Sequence, residues 1–261
     1  MTERDDKIQG VVPSKRRTSG EDDYYKQLGE FILASRRDPL RQFFDFAKYV
    51  PRQYVSGFLA RYELYKTIMN VPGSIVECGV FHGQGLMSFA QFSAIVEPVH
   101  YKRKIIGFDT FEGFTDVSGK DTKGSDLSYV NQHKAGGLRA DSFGELHEAI
   151  RLYDMNRFLG HIPKVELVKG DIRETLPKYL ENNPHLVVAL LYLDMDLYEP
   201  TATALEALVD RVPRGGVLAF DELNDKAWPG ETLAVLEKLG LKNLRLQRFP
   251  FDSNACYAIV E

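Results

Sequence analysis

The chain has 261 residues, of which 44% are apolar and 27% are charged, a composition typical of one globular α/β domain with a sizeable core. The formal net charge of -4 gives no attraction to phosphate backbones or anionic lipids, which argues against nucleic acid and membrane as partners. The first residues lack the apolar stretch of a signal peptide, and the longest apolar run, residues 186–193, is too short to cross a bilayer. We therefore expect a cytoplasmic protein.

Two segments precede the part of the chain in which strands and helices alternate. Residues 1–25 are polar and charged and show no apolar period, which predicts a flexible tail. Residues 26–70 place apolar side chains at helical spacing, interrupted at Pro39 and Pro51, and this predicts a helical cover over the domain. Because the cover is rich in apolar residues, we expect it to make subunit contacts and the protein to be a homo-oligomer.

Seven short apolar runs predict the strands of a single α/β domain over residues 26–261. Longer amphipathic stretches separate the first five runs, a pattern typical of parallel strands with helices on both faces of the sheet. The last two runs are joined by residues 250–254 and predict a closing hairpin with one antiparallel strand. The predicted strands are residues 74–78, 104–108, 165–168, 186–193, 216–220, 244–249 and 255–260.

A long segment interrupts this alternation between the second and third strands. Residues 112–147, here called the insertion, include a stretch from 116 to 139 that is rich in Gly, Asp, Ser and Lys and almost free of apolar period. A loop of this length in a compact domain is usually a lid or a binding loop. The alternative is a disordered surface insertion.

The first strand runs into a loop with three glycines, Gly79, Gly83 and Gly85. Glycine permits a sharp turn and a close approach of the backbone to a ligand at the carboxyl edge of a parallel sheet. The spacing differs from the G-x-G-x-x-G dinucleotide motif, and Glu77 lies two residues before the first glycine. A carboxylate there suits the ammonium group of an amino acid better than a pyrophosphate. The alternative is that the glycines only pack the following helix on the strand.

Acidic residues also end the second and third strands. Asp109 lies about thirty residues after the glycine loop, where an acid can accept both hydroxyls of a ribose. The glycine loop and this acid together predict a ligand that contains adenosine. Asp171 and Ile172 follow the third strand on the side expected for the adenine, although Asp171 is equally well placed to cap the next helix.

Four acids follow the fourth and fifth strands. Asp194 and Asp196 end the fourth strand, and Asp221 and Glu222 end the fifth. Neighbouring parallel strands bring such residues together, and carboxylates at close range repel one another unless a cation compensates them. Oxygen ligands without Cys or His predict a hard divalent ion, Mg²⁺, with Ca²⁺ or Mn²⁺ as substitutes. The alternative is that these acids cap the helices that follow.

Five motifs agree in order and spacing with a known family: "GSIVECGVFHGQG", "IIGFDTFEGF", "VELVKGDIRETLP", "LLYLDMDLYEPT" and "GGVLAFDEL". Together they resemble the macrocin O-methyltransferase family, whose members use S-adenosylmethionine to methylate sugar hydroxyls in antibiotic biosynthesis. The resemblance extends from about residue 60 to the end of the chain. It implies a Rossmann-like class I methyltransferase fold with a mostly parallel, seven-stranded sheet, an antiparallel edge and N-terminal helices.

The resemblance also implies roles for particular residues. The implied cofactor contacts are Glu77, Gly79, Phe81 and Gly83 at the methionine end, Asp109 at the ribose, and Asp171 and Ile172 at the adenine. The implied metal ligands are Asp194, Asp221 and Glu222. Asp196 is the candidate general base, while Asp194 serves catalysis by holding the ion. The family more often has two aspartates where this chain has Asp221 and Glu222.

Three further residues have weaker assignments. Ser142 is a candidate adenine contact but is more simply the N-cap of a helix that begins at Phe143. His82 and His133 are candidates for substrate contact or for the base, and loop packing is the commoner role of a lone histidine.

The acceptor that we expect is a sugar or glycoside, with a slight preference for a nucleotide-linked deoxysugar such as TDP-rhamnose. Three alternatives stay open at this point. A metal-dependent methyltransferase of catechols or other small phenols shares the acidic cluster, although a long polar insertion suits a sugar better. A nicotinamide dehydrogenase is disfavoured by the absence of its glycine motif, and the third alternative is a nucleotide-binding module without catalytic activity.

Overall fold

The computed structural model describes residues 18–125 and 131–261. Nine α-helices in this part of the chain are α1 (Ser19–Ala34), α2 (Pro39–Phe44), α3 (Arg52–Thr67), α4 (Gln84–Val96), α5 (Gly119–Thr122), α6 (Phe143–Met155), α7 (Ile172–Asn182), α8 (Tyr198–Leu208) and α9 (Pro229–Lys238). The strands are β1 (Ser74–Cys78), β2 (Ile105–Asp109), β3 (Val165–Lys169), β4 (Val188–Leu193), β5 (Val217–Phe220), β6 (Gln247–Arg248) and β7 (Cys256–Ile259).

The seven strands form one sheet in the order β3-β2-β1-β4-β5-β7-β6. The first five strands of this order are parallel, and β7 pairs antiparallel with both β5 and β6. The predicted mostly parallel sheet with an antiparallel edge hairpin is confirmed. Because the chain order reverses between β1 and β4, a crevice for ligands is expected at the carboxyl ends of these two strands.

Helices cover both faces of the sheet. Helices α3, α4 and α6 enclose one apolar core, which includes Leu64 and Phe89, and α7, α8 and α9 enclose the other, which includes Leu176 and Leu205. The predicted strand boundaries are accurate to one or two residues except in the sixth strand. There residues 244–249 were predicted, and only Gln247 and Arg248 pair with β7.

The N-terminal segment corrects one predicted boundary. Helix α1 begins at Ser19, inside the predicted flexible tail, because Thr18 and Glu21 form a reciprocal capping box. Helices α1 and α2 bury no side chain, whereas α3 packs against α4 through Phe58 and Phe92, whose ring centroids lie 4.7 Å apart. The rest of the predicted tail, residues 1–17, lies outside the described residues.

Two further expectations concern membranes and assembly. Among the helices of residues 18–125 and 131–261, none has both the length and the apolar character that a membrane span requires. Phe31, Phe43 and Phe44 on α1 and α2 are more than half exposed. Exposed aromatic residues suit subunit contacts, and the homo-oligomer stays a prediction.

The described parts of the insertion are packed against the sheet domain. Asp121 of α5 is 1% exposed and accepts a hydrogen bond from the backbone N–H of Tyr198 at 2.6 Å. A small apolar cluster joins Phe114 and Leu138 of the insertion to Leu197 and Trp228. A disordered surface insertion is therefore the wrong interpretation for residues 112–125 and 131–147, and the role as a lid stays a prediction.

Lys164, a buried lysine directly before β3, lies at the amino ends of the parallel strands and makes the free energy of unfolding depend on pH. Lys164 is 4% exposed and donates a hydrogen bond to the carbonyl of His100. Burial lowers the pKa of Lys164 to about 8, partly offset by Glu97. A lysine in an unfolded chain has a pKa of ~10.4, so between these two pKa values the unfolded chain binds more protons and the free energy of unfolding rises with pH.

We therefore expect the stability difference between the wild type and Lys164→Met to change with pH. Wild type should gain about 2 kcal/mol relative to the variant between pH ~7.5 and ~10.5, measured by urea denaturation. Lys102→Met, at an exposed position nearby, is the matched control. A stability difference for Lys164→Met that stays constant over this range would contradict the prediction.

Candidate active site

A cavity of about 250 Å³ lies at the carboxyl ends of β1 to β4, next to the reversal of strand order. The residues predicted for the site that line it are Gly79, Phe81, Asp109, Asp171, Ile172, Asp194 and Asp196. The insertion supplies another part of the wall through Phe114, Thr115 and Asp116. Glu77, Gly83 and Ser142, also predicted as cofactor contacts, do not line the cavity.

The three glycines of the loop serve different purposes. Gly79 has a φ of +92°, and a Cβ at this position would lie 1.7 Å from the carbonyl oxygen of Asp194, so glycine allows the ends of β1 and β4 to meet. A Cβ on Gly83 would lie 2.1 Å from Leu146 of α6, and a Cβ on Gly85 would lie 1.9 Å from Oε1 of Glu77. Gly85 therefore packs α4 on β1, as the alternative interpretation of the loop expected, whereas Gly83 makes room for α6. The role of Gly83 as a cofactor contact stays a prediction.

Asp109 holds the glycine loop in shape. Its Oδ2 accepts hydrogen bonds from the backbone N–H groups of Val80 and Phe81, both at 2.8 Å, and its Oδ1 accepts one from Phe111 at 2.5 Å. Phe81 has a φ of +52°, which is unusual for a bulky residue and is stabilised by these bonds. Oδ1 of Asp109 keeps one lone pair for a ligand hydroxyl.

Ser142 holds the same loop from the other side. Its hydroxyl is buried and donates a hydrogen bond to the carbonyl oxygen of Phe81. The residue occupies the N-cap position of α6, as the simpler interpretation predicted, but its side chain makes no capping hydrogen bond. The structure thus gives Ser142 a contact with the loop and places it outside the cavity wall.

Asp171 caps α7 and also lines the cavity. Its carboxylate accepts the backbone N–H of Arg173 at 2.9 Å and pairs with the guanidinium of Arg173, which holds the pKa of Asp171 below its usual range. Arg173 also pairs with Asp116 of the insertion at 3.1 Å. The sequence reasoning did not identify Arg173, although a basic residue two positions after a predicted cap was a usable signal.

The acids at the ends of β4 and β5 come together as predicted. Asp194, Asp221 and Glu222 each offer one carboxylate oxygen, and these oxygens lie within 4.8 Å of one another. Burial, and then the neighbouring acids, raise the pKa values of Asp194 and Glu222 well above their usual range. Oε2 of Glu222 is buried and has no hydrogen-bond partner within the described residues.

A fourth acid of this cluster was not predicted. Glu231 of α9 is fully buried and accepts the backbone N–H of Glu222 at 3.0 Å. Its Oε2 is likewise buried and unpartnered within residues 18–125 and 131–261. In the sequence Glu231 has the position of an ordinary first-turn helix acid, so no local signal distinguished it.

Asp196 stands beside this cluster in a strained turn. Its φ is +61°, in the left-handed region that is uncommon for aspartate. Burial, followed by the charges of Asp221 and Asp225, raises the pKa of Asp196 to about 8. The neighbouring Asp194 lines the same cavity, so the two acids of β4 face one space.

Glu77 lies beneath the glycine loop, where it is 1% exposed. Its carboxyl group is a neighbour of Arg61 from α3, since a Cβ on Gly85 would approach Oε1 of Glu77 to 1.9 Å and Nε of Arg61 to 2.9 Å. Burial raises the pKa of Glu77 to about 8, and Arg61 opposes this shift. Arg61 was not identified from the sequence.

The two candidate histidines have different surroundings. His82 is exposed and packs against Phe81. The ring centroid of His133 lies 4.3 Å from that of Trp228, and burial lowers the pKa of His133. Neither residue lines the cavity, which agrees with the loop-packing interpretation.

Known proteins with similar sequences share one activity class in their names. The chain is 30% identical over 154 residues to 8-demethyl-8-(2,3-dimethoxy-alpha-L-rhamnosyl)-tetracenomycin-C 4'-O-methyltransferase of Streptomyces olivaceus, which covers 58% of this chain and 53% of that protein. It is 31% identical over 153 residues to demethyldecarbamoylnovobiocin O-methyltransferase of Streptomyces niveus, which covers 59% of this chain and 53% of that protein. The chain thus spans about half the length of these curated relatives.

Solved structures match over nearly the whole chain. The crystal structure of a calicheamicin methyltransferase has a TM-score of 0.88 at 33% identity and covers 94% of each chain. An apo structure of that protein, named as a TDP-rhamnose 3'-O-methyltransferase of calicheamicin biosynthesis, has a TM-score of 0.79 at 32% identity and covers 94% of this chain and 96% of the other.

A family profile gives the same result. The profile of macrocin-O-methyltransferase (TylF) matches residues 63–238, and all five motifs on which the resemblance was based lie entirely within this range. The sheet, its antiparallel edge and the N-terminal helices have the class I methyltransferase fold. The chain therefore belongs to the macrocin O-methyltransferase family.

Proposed function

We propose that this chain is an O-methyltransferase that transfers the methyl group of S-adenosylmethionine to a sugar hydroxyl in antibiotic biosynthesis, and that it requires a divalent cation. Membership of the family and the similarity to the calicheamicin methyltransferase support the reaction. The observation that carries the proposal is a single cavity lined by Asp171 at one side and by Asp194 and Asp196 at another. Such a cavity suits a nucleoside donor and an acceptor hydroxyl that meet at the acidic cluster.

The residues around the cavity divide the binding of the methyl donor between them. Asp171 and Ile172 are proposed to contact the adenine, and the free lone pair on Oδ1 of Asp109 is proposed to accept a ribose hydroxyl. Gly79 and Phe81 border the methionine end. Asp109 also contributes indirectly, because it fixes the amides of Val80 and Phe81 that shape this border.

The acidic cluster has the chemistry of a site for a hard cation. Its three oxygens lie within 4.8 Å of one another, and Oε2 of Glu222 is buried without a partner in the part of the chain that the structure describes. We propose that Asp194, Asp221 and Glu222 hold Mg²⁺, with Ca²⁺ or Mn²⁺ as substitutes. When bound, the cation lowers the pKa of the acceptor hydroxyl and stabilises the negative charge that develops on its oxygen.

Asp196 is proposed to accept the proton. In methyl transfer the oxygen–carbon bond forms as the sulfur–carbon bond breaks, and the hydroxyl proton must pass to a base. Asp196 lines the same cavity as Asp194, and the left-handed turn at residue 196 fixes its backbone there. Asp196 is not one of the three proposed cation ligands, so its carboxylate is available to accept the proton.

The acceptor that we propose is a TDP-linked deoxysugar or a glycosylated natural product. The related structure named as a TDP-rhamnose 3'-O-methyltransferase supports a nucleotide sugar, and the relative named for a rhamnosyl tetracenomycin supports a glycoside. The packed insertion, which walls the cavity with Thr115 and Asp116, offers polar groups that suit a sugar better than a flat phenol.

A methyl-transfer assay tests the donor, the acceptor and the cation together. Labelled S-adenosylmethionine is offered with TDP-rhamnose, other nucleotide sugars, glycosides and catechol, in the presence of EDTA and after Mg²⁺ is restored. We expect methylation of at least one sugar, a loss of about 100-fold or more in EDTA, and recovery with Mg²⁺. Activity that EDTA leaves unchanged would contradict the proposed requirement for a divalent cation. Methylation of catechol alone would contradict the proposal that the acceptor is a sugar.

A further inference from the structure

Arg61 is a largely buried cation that contacts the acidic cluster from a helix outside the parallel sheet. It belongs to α3, its side chain is 13% exposed, and its Nη2 lies 3.8 Å from Oδ2 of Asp194. No other basic side chain within residues 18–125 and 131–261 forms an ion pair with Asp194, Asp221 or Glu222. The guanidinium of an arginine stays protonated in proteins, so Arg61 brings a positive charge to this cluster.

Tyr192 extends the influence of Arg61 to a second acid. The guanidinium carbon of Arg61 lies 4.8 Å from the centroid of the Tyr192 ring, a cation–π distance. The hydroxyl of this fully buried tyrosine donates a hydrogen bond to Oδ1 of Asp221 at 2.7 Å. A tyrosine hydroxyl is protonated at neutral pH, so it is the donor in this hydrogen bond.

The pair formed by Arg61 and Tyr192 therefore holds two of the three proposed metal ligands, Asp194 and Asp221. Arg61 acts on one oxygen of Asp194 directly, and Tyr192, on which Arg61 packs, acts on one oxygen of Asp221. Within the described residues, Oδ1 of Asp194 and Oδ2 of Asp221 accept no hydrogen bond, so these oxygens are left for a ligand. Partners that orient metal ligands in this way usually influence metal affinity strongly.

We propose that Arg61 and Tyr192 are positioning residues that hold Asp194 and Asp221 in the geometry of a cation site. This inference rests on the proposed function, because it assumes that the acidic cluster binds a divalent ion. It assigns a role at the site to α3, a helix that lies outside the strand-and-loop motifs. Neither residue lines the cavity, so both act through the acids that they contact.

Glu77 provides the competing explanation for Arg61. The carboxyl group of Glu77 is buried beside Arg61, and its Oε2 has no hydrogen-bond partner within the described residues. Arg61 would then only compensate a buried charge, and its loss would destabilise the fold without a specific effect on metal affinity. The two explanations also predict opposite changes in cation affinity. Removal of the positive charge of Arg61 should by itself tighten the binding of a cation, so weaker binding indicates that the metal ligands have lost their orientation.

The test measures Mn²⁺ binding to the full-length protein by electron paramagnetic resonance, together with S-adenosylhomocysteine binding by calorimetry and Tm. The variants are Arg61→Met, Arg61→Met with Glu77→Gln, and Tyr192→Phe. Arg151→Met is the matched control, since Arg151 is exposed and its ion pair is with Glu148. The double variant removes both members of the buried pair, so it remains informative if Arg61→Met alone fails to fold.

We expect Arg61→Met to lower the Tm and to weaken Mn²⁺ binding by about tenfold or more. The double variant should recover the Tm while its Mn²⁺ affinity stays low, and Tyr192→Phe should weaken Mn²⁺ binding by roughly tenfold. An Mn²⁺ affinity in the double variant equal to or tighter than wild type would overturn the positioning role and leave the proposed function intact. A wild type that binds no Mn²⁺ would overturn the proposed cation site and this inference with it.

Discussion

Asp196→Asn is expected to lower kcat by about 1,000-fold, because asparagine has the shape of aspartate but cannot accept the hydroxyl proton. The affinity for S-adenosylhomocysteine, measured by calorimetry, should change by less than about threefold, since a lost proton acceptor affects the transition state and leaves donor binding intact. Asp196 lines the cavity after β4, and the residues proposed to bind the methyl donor lie at the ends of other strands, β1 to β3. The chemical step and donor binding are therefore separable.

Asp194→Asn is the matched comparison, two residues away on the same loop. This variant removes a proposed metal ligand, so it should lose Mn²⁺ affinity, whereas Asp196→Asn should keep it. The two variants would thus lose different properties: Asp194→Asn would lose Mn²⁺ affinity, and Asp196→Asn would lose turnover while it keeps Mn²⁺ affinity. Turnover by Asp196→Asn within about tenfold of wild type would contradict its role as base, and equal loss of Mn²⁺ affinity in both variants would contradict the division of roles.

The site residues that could be predicted from the sequence are those that directly follow a strand. A buried apolar run that ends in acids gives both the strand and the edge at which its acids emerge, because parallel strands end on the same side of the sheet. For this reason Asp194, Asp221 and Glu222 were predicted as a cluster and lie together. The capping signal at Thr18 and Glu21 was equally local and was missed because the surrounding residues are polar.

Contacts between distant segments were not predictable in the same way. Nothing in the helical pattern of α3 distinguishes Arg61 from an exposed arginine, and its partner Tyr192 lies 131 positions further along the chain. A glycine likewise indicates that a Cβ has no room and does not indicate what fills the space. At Gly83 the space holds Leu146, and at Gly85 it holds Glu77.

Gly79→Ala is expected to cause the largest loss of stability and of cofactor binding from a single methyl group. The φ of +92° disfavours alanine, and the added Cβ would lie 1.7 Å from the carbonyl oxygen of Asp194. The backbone has little freedom to move away. The N–H of Gly79 donates to Phe108 of β2 at 2.9 Å, and the N–H of Asp194 donates to Cys78 of β1 at 2.8 Å.

The variant must therefore separate the ends of β1 and β4, which carry Phe81 and Asp194 into the cavity. We expect the free energy of unfolding, measured in urea, to fall by roughly 2–5 kcal/mol from backbone strain and overpacking together. S-adenosylhomocysteine binding should weaken by about 100-fold or more, because a displacement of this border removes contacts along the methionine end. Both measurements use the same purified protein.

Two other glycines separate the causes of this effect. Gly124 also has a positive φ, +78°, but a Cβ there meets nothing within 4 Å, so Gly124→Ala should cost only about 1–2 kcal/mol of backbone strain. Gly144 lies in α6 with open space around it, and Gly144→Ala should be neutral or stabilise by up to about 1 kcal/mol. Gly79→Ala could lower the free energy of unfolding by no more than Gly124→Ala does. In that case the close contact with Asp194 would not be the reason for glycine at position 79, and the proposal that this contact between the ends of β1 and β4 shapes the site would be wrong.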